Sequence, residues 1–80
     1  MVALALPGPA RAQTTAADLL AAAAARLPAA ASSDPRALRA ISSLLDRIED
    51  EHPASDIGVQ VTRLRALGIS DMLIADQLAA

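Results

Sequence analysis

The sequence predicts an all-α fold, a compact array of three to four short helices behind a disordered N-terminal tail. Three observations carry this expectation. Alanine supplies 21 of the 80 residues, and it is the strongest helix former because it loses no side-chain entropy on folding. Apolar residues from Leu19 to Leu78 recur at three- and four-residue spacings, the period of one helix face. Thr15, Asp34, Ser55 and Ser70 stand ahead of these runs, and their short oxygen-bearing side chains suit helix caps.

Eighty residues bound the chain to one domain, and a core this small is marginal by itself. The chain has no Phe, Trp or Tyr, which removes the side chains that bury most area, and no Cys, which excludes disulfides and thiolate metal sites. Close helix packing or oligomerisation is left to stabilise it. The basic residues are all Arg, a usage that points to a GC-rich bacterial genome. The net charge of −2 and pI near 5.0 argue against a general polyanion binder, which would carry a basic face. The charge is uneven: Arg11, Arg26, Arg36 and Arg39 stand against Asp18 and Asp34 before residue 46, whereas Asp46, Glu49, Asp50 and Glu51 then face only Arg47.

Residues 1–13 fall outside the expected domain, which spans 14–80. Pro7, Gly8 and Pro9 prevent a helix there, and a disordered tail is the expectation. Ala10-Arg11-Ala12 ahead of Gln13 also has the small residues of a signal-peptidase site. The expected compartment is therefore the cytoplasm, with export as the alternative if residues 1–12 are a signal remnant. No membrane span is expected, because the run Leu19–Ala25 ends at Arg26 and a span needs about 20 apolar residues.

The first helical segment is expected from about Thr15 to Leu27, with Asp18 in the first turn, Leu19, Leu20, Ala23, Ala24 and Leu27 on one face, and Pro28 as its end. The second begins at Asp34-Pro35 and closes at His52-Pro53. Its stripe Leu38, Ile41, Leu45 and Ile48, widened by Leu44, is an amphipathic face. Such a stripe serves either as the core of its own domain or as an interaction face for a partner helix.

The third segment, about Ser55 to Leu67, carries two periods. Ile57, Val59 and Val61 alternate as in a strand, and Gly58 with three β-branched residues disfavours helix. Ile57, Val61, Leu64 and Gly68 read at helical spacing. Helix is the expectation for residues 56–62, because a lone strand leaves both its edges unpaired. The fourth segment follows Gly68, with Ser70 as cap and Ile74 and Leu78 facing the core.

Residues Leu64 to Leu78 bear a resemblance. Leu64, Gly68, Ile69, Ser70, Ile74, Ala75 and Leu78 are similar to the first helix of helix-turn-helix DNA-binding domains, L-x-x-x-G-[LI]-S-x-x-x-IA-x-x-L. The resemblance implies that Gly68-Ile69-Ser70 bends the chain between two helices. It also makes Arg63 and Arg65 possible nucleic-acid contacts. The pattern stops where the helix that reads the major groove would begin, so nucleic acid ranks below protein as a partner.

Chemistry is sparse. Glu49-x-x-His52 has the spacing found in carboxylate-bridged di-metal bundles, but those need further Glu ligands and the chain has no other Glu outside residues 49–51. With one His and no Cys, Lys or Tyr, and Ser and Thr mostly at caps and turns, no catalytic residue, cofactor site or metal site is expected. The expected function is a non-enzymatic helical interaction module that binds protein, first of all itself. Its contact would use the face of Leu38, Ile41, Leu45 and Ile48 or the Ala-lined face of the first helix. A DNA-associated regulatory protein and a small exported helical protein are the alternatives.

Overall fold

A computed structural model describes residues 14–80. The tail expected at residues 1–13, including the signal-like triplet, lies outside the described residues. The described chain is all-helical, with five helices: α1 (Ala16–Ala24), α2 (Leu27–Ala31), α3 (Pro35–Glu51), α4 (Asp56–Ala66) and α5 (Asp71–Ala79). No residue among them is in a strand.

Each longer helix starts on a side-chain cap. Thr15 and Asp18 form a reciprocal capping box at α1: Thr15 Oγ1 accepts from the Asp18 amide at 3.0 Å, and the Asp18 carboxylate accepts from the Thr15 amide at 3.2 Å. The Asp34 carboxylate accepts from the Arg36 amide at α3, Ser55 from the Gly58 amide at α4, and Ser70 from the Leu73 amide at α5. Caps of this kind contribute about 1 kcal/mol each.

The helix count exceeds the expected three to four because of Pro28. This residue was expected to end the first segment. Instead α1 stops at Ala24, and Pro28 sits in the first turn of the short α2, where its missing N–H has no partner to lose. Leu27 consequently belongs to α2 and packs half-buried against the core. Ser33 then takes a left-handed φ of 66°, and the Ser33 and Asp34 amides donate back to the carbonyls of Ala30 and Ala29. This is the paired closure that usually calls for glycine.

The same closure ends α4, where Gly68 has φ 83° and the amides of Gly68 and Ile69 donate to the Arg65 and Leu64 carbonyls. The bend that the helix-turn-helix pattern implied at Gly68-Ile69-Ser70 is therefore present. The strand alternative for residues 56–62 is not realised. Val59 points outward from α4 at 45 % exposure, while Val61 and Leu64 are buried.

The core is built around α3. Ala37, Ile41, Leu45 and Ile48 form its buried row, joined by Leu19, Leu20 and Ala23 from α1, Val61 and Leu64 from α4, and Ile74 and Ala75 from α5. Ile41, Leu45 and Ile48 are almost wholly covered, and burying each such side chain stabilises the fold by roughly 1.5–3 kcal/mol. Leu38 departs from the expected stripe: it is 39 % exposed, and Ala37 takes its place in the row. The buried spacing is 37-41-45-48, so the core-facing direction is turned away from Leu38, and the small Ala37 lets its neighbours approach closely.

The order of the chain runs α1 against α3 in opposite directions. The start of α1 lies at the end of α3, where His52 Nε2 donates to the Thr14 carbonyl at 2.7 Å, and α2 returns the chain to the start of α3. Gly58 in α4 is buried against the turn that follows α3. A Cβ at residue 58 would collide with the His52 carbonyl oxygen, so glycine is required by the close approach.

Candidate interaction surface

Four of the expected site residues sit on α3, and the structure divides them. Ile41, Leu45 and Ile48 are inside the protein's own core, covered by α1, α4 and α5, while Leu38 alone reaches solvent. The stripe holds the domain together and offers a partner only its edge.

The two arginines also separate. Arg63 is exposed and makes no ion pair among the described residues. Arg65 is occupied. Its Nε and Nη2 donate in parallel to the two Asp71 oxygens, its Nη1 donates to Asp46 and Glu49, and Nη2 also reaches the Ser42 carbonyl. The guanidinium therefore ties α4 to α3 and α5 at once, and its proton is held more firmly than usual, chiefly through Asp71. The fork from Arg65 likewise holds the Asp71 carboxyl below the usual aspartate range, with a hydrogen bond from Ser42 adding to it and burial opposing it. Thr62 Oγ1 donates to the other Glu49 oxygen at 2.7 Å.

The Glu49-x-x-His52 pair is thereby dispersed. Glu49 turns toward Arg65 and Thr62, and His52 toward Thr14, so the two side chains serve separate structural contacts. No group of three candidate metal ligands converges among the described residues. No described helix is long and apolar enough to cross a membrane.

Two open apolar hollows lie along α5. One hollow of about 390 Å³ is lined by Ala17, Leu20, Ala21 and Ala24 of α1 with Leu78 and Ala79 of α5. A second, of about 210 Å³, is lined by Leu27 and Ala31 of α2 with Met72, Leu73 and Asp76 of α5. Together they follow the seam where α5 lies on α1 and α2. The small side chains of α1 leave the groove shallow, and Leu73 stands at its edge 53 % exposed. Leu67 and Val59 are exposed as well, but they line neither of these hollows, and scattered exposed apolar side chains are ordinary.

The sequence pointed to the Ala-lined face of the first helix but missed Leu73 and α2 as its continuation. A signal was present: Leu73 stands on the side of α5 that carries Asp76 and Gln77, where a helix serving only its own core would place a polar residue. The chain matches no protein-family model, no curated protein and no solved structure.

Proposed function

We propose that this protein is a non-enzymatic helical interaction module that associates with itself, using the seam of α5 with α1 and α2 to receive an apolar helix face. The exposed Leu73 beside two open apolar hollows carries this reading. The thin core supports it: among the described residues, the thirteen buried hydrophobic ones include five alanines, and the chain has no aromatic ring. Covering the seam would add buried apolar area that a domain of this size otherwise lacks.

The chemistry of the chain supports a non-catalytic role. Its single histidine spends Nε2 on a backbone carbonyl, and the hydroxyls of Thr15, Ser55 and Ser70 are engaged as caps. The DNA-associated alternative is weakened, because Arg65 is enclosed by three carboxylates and Arg63 is left as the one remaining phosphate contact from that pattern.

Sedimentation over a range of concentrations tests the proposal. The native chain is expected to associate. Leu73→Asp, at an exposed position, is expected to keep the helical content and lose the association. A folded native protein that stays monomeric at high concentration would overturn the reading.

A further inference from the structure

The two hollows along α5 differ in chemistry. The one beside α2 includes Asp76 in its lining, and Leu73 stands at its edge. The one beside α1 is larger and is lined by Ala17, Leu20, Ala21, Ala24, Leu78 and Ala79, with no charged or hydrogen-bonding side chain. Its four α1 residues repeat at helical spacing and make one strip of mostly small side chains, about 10 Å long at the helical rise per residue. Such a strip selects an uncharged aliphatic occupant, because a polar group buried there would find no side-chain partner.

The chain itself supplies such an occupant within reach. Val2-Ala3-Leu4-Ala5-Leu6 is an unbroken aliphatic run, and it lies outside the described residues. The described domain is entered at Thr14, which His52 holds at the end of α3, and Ala17 of the hollow follows within one turn. Residues 7–13 join Leu6 to Thr14, and these eight residue steps extend to about 26 Å. That is more than twice the length of the strip, so the run can reach any point on it. Arg11, the single charged side chain of residues 1–13, falls in this connector and not in the run.

We propose that residues 2–6 dock in the hollow between α1 and α5 of their own chain, with Leu4 against Ala21 at the middle of the strip. The hollow beside Leu73 is then the one left to a second copy. A tethered segment meets its site at an effective concentration on the order of millimolar, which a free segment of the same chemistry does not match in dilute solution. Docking within the chain is therefore favoured over exchange between copies. This inference rests on the reading of the α5 seam as a receptor for apolar segments, and it divides that seam between two occupants.

The chain has no cysteine, so a pair of introduced thiols reads the contact directly. Leu4→Cys combined with Ala21→Cys is treated at low protein concentration with oxidised glutathione, which takes the two thiols to a disulfide and is itself reduced. The control combines Leu4→Cys with Ala22→Cys, at the next residue of α1, which is exposed and outside the hollow. The two tethers differ by one residue, so loop closure favours neither. Linkage within one molecule is expected to be roughly tenfold faster through position 21 than through position 22. Adding Val2→Asp and Leu6→Asp should bring position 21 down to the control rate. Equal rates at the two positions, indifference to the acidic substitutions, or linkage between molecules in place of linkage within one would each overturn the docking. Sedimentation of the native chain and Leu73→Asp tests the second copy separately. Slow linkage with association intact removes only the docked segment, and fast linkage in a strictly monomeric protein removes only the second copy.

Discussion

Arg65 and Asp71 meet as a fork: Nε and Nη2 of the guanidinium each donate to one carboxylate oxygen at 2.9 Å. The same guanidinium also engages Asp46 and Glu49 on α3, so three helices share one cation. Replacing Arg65 with Met is expected to lower unfolding free energy by about 1–3 kcal/mol, the range for charge-assisted hydrogen bonds. Arg65→Lys should recover only part of this, because an ammonium keeps the charge but not the planar fork. Urea denaturation followed by helical signal measures both, and equal stability of the native and Met forms would refute the staple.

The same pair sets an acid dependence. Asp71 titrates lower in the folded chain than in the unfolded one, where an aspartate titrates near about 3.9. Its contribution is therefore fully present above about pH 4 and is lost as pH falls through its depressed folded value. Asp71→Asn is expected to be less stable at neutral pH and to lose less stability than the native chain on acidification. Parallel stability curves for the two proteins would contradict this assignment.

Gly58 is an instance where propensity and packing disagree. Alanine in a helix interior ordinarily gains up to about 1 kcal/mol over glycine. Here the added methyl would press on the His52 carbonyl, which also accepts from Ser55 Oγ at 2.7 Å. Gly58→Ala is expected to destabilise by about 1–3 kcal/mol, the usual range for overpacking. A thermal midpoint at or above that of the native chain would show that the turn after α3 can move aside.

Two turns with the same backbone closure should respond oppositely. Ser33 holds a left-handed φ with a side chain, and Gly68 holds one without. Ser33→Gly is expected to stabilise the protein, and Gly68→Ala to destabilise it, each by about 1 kcal/mol. Space is not the issue at Gly68, since no atom lies near a Cβ built there, so the cost is conformational. Thermal unfolding of the two variants reads both signs, and a shift of the same sign in both would defeat the argument.

Much of the fold was readable because its signals are local. Asp34-Pro35 and His52-Pro53 bracket α3, Ser55 and Gly68 bracket α4, and Ser70 opens α5. The third segment was legible as helix despite the alternation of Ile57, Val59 and Val61, because Ile57, Val61, Leu64 and Gly68 keep helical spacing and a lone strand leaves its edges unpaired; in the structure Val61 and Leu64 are buried and Val59 is not. Pro28 misled because a proline that ends one helix and a proline that begins the next look alike in sequence. Leu38 misled because size favours leucine over Ala37 for a core position, whereas the angle of α3 against its neighbours decides. Arg65 reads as a phosphate contact in sequence because its partners come from two other stretches of chain, Asp46 and Glu49 on α3 and Asp71 on α5, and no spacing rule within α4 brings them to it.

Ala17 and Ala79 line the same hollow, so the first turn of α1 and the last of α5 are neighbours in space. A short peptide spanning from residue 80 to residue 14 can therefore close the molecule into a ring. The ring can then be opened elsewhere, at the exposed Ser33 or Gly68 turn, to give a permuted chain in which α5 precedes α1. The packing would survive the rearrangement unchanged, because what the helices require is their neighbours and not the sequence in which the ribosome delivers them.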